Sequence, residues 1–441
     1  MSSKAQRSSR GPTGPPGVRA ASPARECAFV VLRRVFEQGA YADRAFASEA
    51  AGLARRDRAL AMHLAYGAVQ RSATLDSVVR RLTGRSPGRL HPAARAALRL
   101  GLLQILFMSG VADHAAVNES VELAKVGGAG AGLVNAVLRR AAREKEEILA
   151  ELDDLTPEGA AVAHSVPQWL ARQLWEELGA TEARALLAAI NDPAESALRV
   201  NTLVAAPAEV SRSLPVPNTP APGIPEGLVL AGPLALEESQ MWRQGAIMGQ
   251  SRGSMAVAHA LDPQPGDRVL DLCAAPGAKT THMAALMKAR GEVVAVELNP
   301  GRARSLEQTC DRMRATCVCV DVADASEERT DGPFSHVLLD PPCSGLGTLQ
   351  ARPDIRWRAS PERIRNLARL QRGMLEAAAA ATAAGSVIVY SVCTISRAET
   401  VSVVEPFAHD HTAFELEESF QLLPHRDRTD GFYVARLRRS G

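Results

Sequence analysis

Five short apolar runs constrain this chain more than any other feature: Arg268–Leu272, Val293–Val296, Cys317–Val320, His336–Leu339 and Ser386–Tyr390. Helical stretches separate most of them, as at Thr280–Lys288, Arg302–Met313 and Pro361–Ala384. Short, nearly continuous apolar strands joined by helical crossovers predict a parallel sheet covered on both faces. Such sheets bind ligands beyond the carboxyl ends of their strands. The α/β region runs over 241–441.

The preceding residues have a different period. From Pro23 to Lys145 apolar residues recur at three- and four-residue spacing, as in Cys27, Val30, Val31, Val35 and again through Ala93–Met108. That predicts an all-α bundle over 24–145. Residues 1–23 are Ser, Gly, Pro and Arg with little that is apolar, the composition of a disordered basic tail. Residues 146–240 read as a small α+β connector with an edge strand or the start of a strand at Ala197–Leu203.

Charge follows the same divisions. Residues 1–145 carry 23 Lys and Arg against 10 Asp and Glu, 146–240 carry 4 against 15, and the remainder is balanced. A basic N-terminal third suggests a polyanion partner, RNA or DNA. No stretch approaches the ~18 apolar residues of a membrane span. The seven cysteines show no CxxC pairing, so neither a disulfide framework nor a structural zinc site is expected. These features predict a cytoplasmic protein with reduced thiols, no membrane association and no metal.

The chemistry-bearing residues fall at the predicted strand ends. Asp271 to Thr280 (DLCAAPGAKT) leaves the first strand and opens a helix. Its small residues let a ligand approach the backbone, and the helix start offers free N–H groups. The segment is neither GxGxxG nor a Walker loop, which points away from a dinucleotide or nucleoside triphosphate. It suits the amino-acid end of S-adenosylmethionine. Glu297 ends the second strand, where an acid accepts from ribose hydroxyls. Asp321 ends the third, within reach of an adenine amino group or the ribose. Asp340 opens a rigid D-P-P turn after the fourth, with Cys343 just beyond. Cys393 follows the fifth.

A single cysteine is most often a small buried hydrophobe, and Cys27, Cys310, Cys317 and Cys319 read that way. Two cysteines on neighbouring strand tips beside a carboxylate are different. Carbon 5 of a pyrimidine is too electron-poor to attack a methyl sulfonium. Thiolate addition to carbon 6 makes it nucleophilic, and elimination follows methyl transfer. Asp340 as a carboxylic acid near N3 would stabilise the adduct, and the second thiol would assist elimination. The base must leave its stack to enter such a pocket. Two other readings compete. An exocyclic-amino methyltransferase would want an aromatic residue where this chain has Cys343, and a non-catalytic RNA-binding factor gives the clustered strand-tip groups no purpose.

In combination, DLCAAPGAKT, DPPCSGLGT followed by Arg352-Pro-Asp354 and Trp357, YSVCT, and Asp430–Leu437 (DGFYVARL) resemble the RNA cytosine-C5 methyltransferases. The likeness is to their bacterial 16S ribosomal RNA branch, B type, and covers roughly 24–438. It implies a NusB-like RNA-binding bundle and a Rossmann-like class I methyltransferase domain that uses S-adenosylmethionine as a dissociable cofactor. It further implies 16S ribosomal RNA as the substrate, naked or in an assembly intermediate, and nothing in the sequence demands more than a monomer. Carried over by position, Cys393 is the nucleophile and Cys343 the second thiol. Asp340 and Lys279 face cofactor and base. Cys273, Ala274, Ala275, Pro276, Gly277, Ala278 and Lys279 line the methionine end, with Glu297 on the ribose and Asp321 near the adenosine. Four positions depart from the family pattern: Ala278 for glycine, Glu297 for aspartate, Ser251 for an acid after Gln250, and Thr400 for asparagine.

Overall fold

The computed structural model describes residues 21–128 and 130–441 and divides into two units, one ending at Asp153 and the other spanning Asp154–Gly441. All but the last residues of the expected N-terminal tail lie outside the described residues.

The first unit is the helical bundle. Its axis is the helix Pro92–Phe107, in which thirteen of sixteen residues are buried. A helix apolar on every side has to be enclosed by others. Helices Pro23–Gln38, Arg55–Gln70, Asp113–Val126 and Ala131–Arg143 surround it. Gly101 permits that closeness, because a Cβ there would lie 2.4 Å from a Leu138 methyl. Arg99, buried on the central helix, pairs with Asp76 at 2.7 Å and stacks over Phe36.

The second unit holds two sheets. The smaller comprises β1 (Ala197–Val200), β2 (Asn218–Ala221), β3 (Ile224–Leu230) and β4 (Ile247–Gly249), antiparallel in the order β2-β3-β1-β4. The expected edge strand at Ala197 is therefore interior. β4, which lies past the connector as read from sequence, pairs with its free side, and Leu198, Arg199 and Val200 are fully buried.

The larger sheet comprises β5 (Arg268–Leu272), β6 (Glu292–Val296), β7 (Val318–Asp321), β8 (Phe334–Leu339), β9 (Thr382–Val392), β10 (Phe414–Leu422) and β11 (Phe432–Arg439). Its order is β10-β11-β9-β8-β5-β6-β7. The five predicted strands are all present and mutually parallel. The sheet as a whole is mixed, because β11 runs antiparallel to β9 and β10 antiparallel to β11. Alternation places Leu270, Leu272, Val337 and Leu339 in the core under helices Pro361–Ala381 and Val401–Asp410. Val269, Leu338 and Val389 face the opposite core with helices Arg252–Leu261 and Ala278–Leu286. The strand order reverses between β5 and β8, and a crevice opens there at the carboxyl ends.

Candidate active site

The turn after β5 carries the strain of the site. Cys273 sits at φ 67° and Gly277 at φ 100°, and the Ala274 N–H bonds back to the Val296 carbonyl of β6. Gly277 is doubly required, since a Cβ would also lie 2.8 Å from Leu306. Ala278 has no left-handed backbone and simply opens its helix, so the family's second glycine is not needed for conformation here. Asp271, inside β5, accepts the Thr280 hydroxyl at 2.6 Å and so staples strand to helix. Burial pushes its carboxyl up to about 7. Burial likewise pushes the Cys273 thiol up to about 12, making it an inert lining group.

The switch crevice brings Lys279, from the turn after β5, to Asp340, at the tip of β8. Nζ and Oδ2 are 2.6 Å apart, and the other carboxyl oxygen accepts the Ser391 hydroxyl at 3.3 Å. Burial disfavours the Lys279 ammonium, but attraction and hydrogen bonding to Asp340 outweigh it and its pKa is raised. The expected acid is thus one half of an ion pair.

Cys343 and Cys393 come from neighbouring tips, with their Sγ atoms 3.4 Å apart and both free. The pair is electrically unequal. Hydrogen bonding from Cys343 lowers the Cys393 thiol pKa against the effect of burial, and the charges of Lys279 and Arg352 assist. Cys343 moves the opposite way, well above the usual thiol value, because its proton is held against Cys393 and because it is buried. Of the pair, Cys393 is the thiol that ionises more readily and Cys343 the one that keeps its proton.

Several positioning groups were not legible from the sequence. Glu399 is fully buried, and its carboxyl oxygens accept from Ser344 N–H at 2.8 Å, Gln371 at 3.1 Å and Thr394 at 3.4 Å, joining the loops of both cysteines. A second lacing runs through backbone: Gly347 N–H bonds to the Cys393 carbonyl and Gly431 N–H to the Gly347 carbonyl. Arg199 on β1, also fully buried, donates to Gln250 at 2.8 Å and to Thr281 at 2.9 Å, bracing the helix after the ligand loop. Arg302 donates to the Ala275 carbonyl and approaches Glu297 at 3.4 Å. Of the predicted cofactor acids, Glu297 is buried at the tip of β6 as expected. Asp321 ends β7, but its carboxyl is committed to Arg329 at 2.6 Å. Cys27 and Cys310 are buried as read; Cys319 corrects that reading, because β7 is an edge strand and turns this side chain to solvent.

Cys393 opens onto a cavity of about 370 Å³ that also includes Gln250, Arg352, Asp430 and Phe432. A separate cavity of about 400 Å³ between His259 and Asp427 holds none of the strand-tip groups. Behind it, Glu226 accepts from His259 at 2.7 Å and from His282, and the three donor atoms lie within 4.8 Å of one another. A metal on His282 Nε2 would leave a protonated Nδ1 with no acceptor, since that buried atom has no partner. The hydrogen-bonded clamp fits the geometry better. Burial pushes His282 down to about 3, whereas the hydrogen bond to Glu226 raises His259.

Matches to known proteins cover the same parts. Residues 258–438 match the family model of the 16S rRNA methyltransferase RsmB/F, residues 22–143 the NusB family, and residues 166–237 the ferredoxin-like domain of RsmF/B-like methyltransferases. The probable ribosomal RNA small subunit methyltransferase B of Synechocystis is 34% identical over 95% of this chain and 99% of its own. The ribosomal RNA small subunit methyltransferase B of Thermus thermophilus is 36% identical over 87% and 89%. The crystal structure of PH0851 superposes with a TM-score of 0.76 at 26% identity, covering 95% of this chain and all of the other. That of NSun6 from Pyrococcus horikoshii with SFG gives 0.59 at 23% over 62% and 98%, a likeness of fold. The helical unit, the small sheet and the strand-tip thiols are parts of one enzyme architecture, and the chain belongs to the 16S rRNA methyltransferase RsmB/F family.

Proposed function

We propose that this protein methylates carbon 5 of a cytosine in 16S ribosomal RNA in the cytoplasm, with Cys393 as the nucleophile. One observation carries the reading: two thiols 3.4 Å apart with opposite pKa shifts, beside a Lys279–Asp340 pair at the switch crevice. S-adenosylmethionine, bound when the Cys273–Lys279 turn and Glu297 hold its methionine and ribose ends, supplies an electrophilic methyl group. The turn fits such a ligand: it presents small residues and a helix start, and Glu297 lies at the next strand tip. Asp321 already holds Arg329 through Oδ2, so its part in cofactor binding is the weakest of the set.

The Cys393 thiolate forms the bond to carbon 6, and the displaced ring electrons are stabilised at N3 by a proton or hydrogen bond from the Lys279–Asp340 pair. Carbon 5 then gains the methyl group and must lose its hydrogen as a proton. Cys343 is placed to assist. Once Cys393 is alkylated, the contact that held the Cys343 proton is gone, and Cys343 becomes easier to ionise. Elimination breaks the Cys393–carbon 6 bond and returns the thiolate. The basic helical unit docks the RNA backbone, which supplies affinity with little sequence reading.

The test combines full-length protein, tritiated S-adenosylmethionine and 16S ribosomal RNA, either naked or in an assembly intermediate, with nucleoside analysis. The expected product is 5-methylcytosine, absent with Cys393→Ala, while Cys343→Ala accumulates a covalent protein–RNA adduct. Methylation that persists in Cys393→Ala, or falls on an exocyclic amine, overturns the mechanism. No transfer to either RNA form favours a binding factor instead.

A further inference from the structure

Asp430 is an acid in the Cys393 cavity for which the reaction above has no use. It opens the turn into β11 and is held firmly. The following Gly431 bonds to the Gly347 carbonyl at 2.8 Å, and Gly347 bonds in turn to the Cys393 carbonyl at 3.0 Å. The two glycines lie backbone against backbone: a Cβ on Gly347 would come within 1.8 Å of the Gly431 oxygen. The backbone that carries Asp430 is therefore fixed relative to the nucleophile by main-chain contacts.

Asp430 is also short of partners. The cavity has a second acid, Glu195, but Arg252 neutralises it at 2.5 Å. Against burial and the remaining charge of Glu195, Asp430 has the facing Ser251 hydroxyl and the charge of Arg352, and its pKa is raised. Ser251 is one of the departures from the family pattern. It caps the helix Arg252–Leu261 by accepting Ser254 N–H at 3.3 Å, so the serine keeps the helix start and turns a hydroxyl toward Asp430.

The covalent chemistry says which part of a nucleotide reaches this acid. Cys393 bonds to carbon 6, and carbon 6 is joined to N1, which carries the sugar. The amino edge of the ring lies on the far side, toward Lys279 and Asp340, and neither of these lines the cavity. Ala278, in the same lining, belongs to the cofactor turn; Arg352 and Asp430 are the charged groups left there to meet ribose and phosphate. Arg352 suits a phosphate. An ionised carboxylate is repelled by one and can only accept hydrogen bonds. Within an RNA chain the 3′ and 5′ oxygens are esterified, and the one hydroxyl left to donate is the 2′-OH. That group is also what distinguishes RNA from DNA.

We infer that Asp430 accepts the 2′-hydroxyl of the target cytidine and makes the enzyme selective for ribose at that nucleotide. This rests on the proposed role of Cys393. The experiment uses full-length protein and a synthetic segment of 16S RNA containing the cytosine that the wild type methylates. A second segment is identical except for 2′-deoxycytidine at that one position. A charge-assisted hydrogen bond corresponds to about tenfold or more in kcat/KM, so wild type should favour the ribo segment by at least that factor. Asp430→Ala should bring the ratio close to one by losing activity on the ribo segment, and Asp430→Asn should give an intermediate ratio, both with unchanged S-adenosylmethionine binding. Wild type that methylates both segments equally overturns the assignment without any variant. Asp430→Ala that keeps the wild-type ratio does the same. Failure of the parent reading looks different, because methylation would then survive Cys393→Ala on both segments.

Discussion

Glu399 offers the sharpest test of how the two cysteines are held. Removing its carboxyl in Glu399→Ala strips an acceptor from three donors, Ser344 N–H, Gln371 Nε2 and the Thr394 hydroxyl. The Thr394 hydroxyl can turn to Ser344 Oγ, already 2.8 Å away. The Gln371 amide keeps one bond, to the Pro342 carbonyl at 2.9 Å. Two buried N–H groups are then left without acceptors at ~1–3 kcal/mol each, giving a loss of about 3 kcal/mol after partial relaxation. For a unit of this size that lowers the melting temperature by roughly 5 °C. The Cys343 and Cys393 loops also lose their shared anchor, and a drift of ~1 Å at a reacting group costs on the order of a hundredfold in turnover.

Glu399→Gln separates hydrogen-bond geometry from charge. Its amide oxygen can take the place facing Ser344 and Gln371, and its NH2 can donate to the Thr394 oxygen. The glutamine variant should stay within about 1 kcal/mol of wild type and within tenfold in turnover. Calorimetry, single-turnover methyl transfer and S-adenosylmethionine titration form the assay. Binding of the cofactor should be unchanged in both variants, because Glu399 touches nothing in the Cys273–Lys279 turn. An alanine variant with normal melting and turnover refutes the reasoning. A glutamine variant as damaged as alanine would show that charge, not the pattern of donors, holds the loops.

Two further outcomes follow from the electrostatics. Cys343 lowers the Cys393 pKa by hydrogen bonding, so Cys343→Ala should move the rise in Cys393 alkylation by iodoacetamide to higher pH, read by peptide mass spectrometry; an unchanged or acid-shifted profile contradicts the asymmetry of the pair. His282 is buried neutral with its pKa pushed to about 3, so below pH ~6.5 the unfolded chain takes up a proton that the folded one refuses. Stability from this group is lost as the pH falls, by about 2 kcal/mol between pH 7 and pH 5. His259, whose pKa is raised, has the opposite sign and stabilises the folded state toward acid. His259→Gln should therefore steepen the acid loss in urea unfolding, and a flatter profile would refute the clamp.

The parallel part of the catalytic sheet could be read from the chain because its inner strands are mostly buried on both faces and are thus nearly continuously apolar. β10 escaped that logic. Its sequence, FELEESFQL, is one-third charged, since it forms the outer edge of the sheet and presents one face to solvent. β1 was misplaced for a related reason. Four residues cannot show whether both sides are paired, and the partner β4 follows 46 residues after the end of β1, with only three residues of its own. The helix expected over Pro361–Ala384 stops at Ala381, because its last alanines carry no signal separating helix from the start of β9.

The candidate site divides along the same line between local and distant information. Cys343, Cys393, Asp340 and Lys279 were legible because each lies in or just past a segment that leaves the carboxyl end of a strand, and a parallel sheet gathers all such segments at one edge. Their protonation was not legible. Asp340 meets Lys279 across 61 residues of sequence, and the lowered Cys393 pKa rests first on its hydrogen bond with Cys343 and then on the charges of Lys279 and Arg352. Glu399, Arg199 and Asp430 were passed over for the same reason, since a buried polar residue declares itself only through partners that folding brings to it. The hydrogen bonds that position this site join the 344, 347, 371, 394, 399 and 431 positions into one knot. A chain that places both cysteines on strand tips but breaks that knot would keep every recognisable motif and lose the 3.4 Å contact on which their division of labour depends.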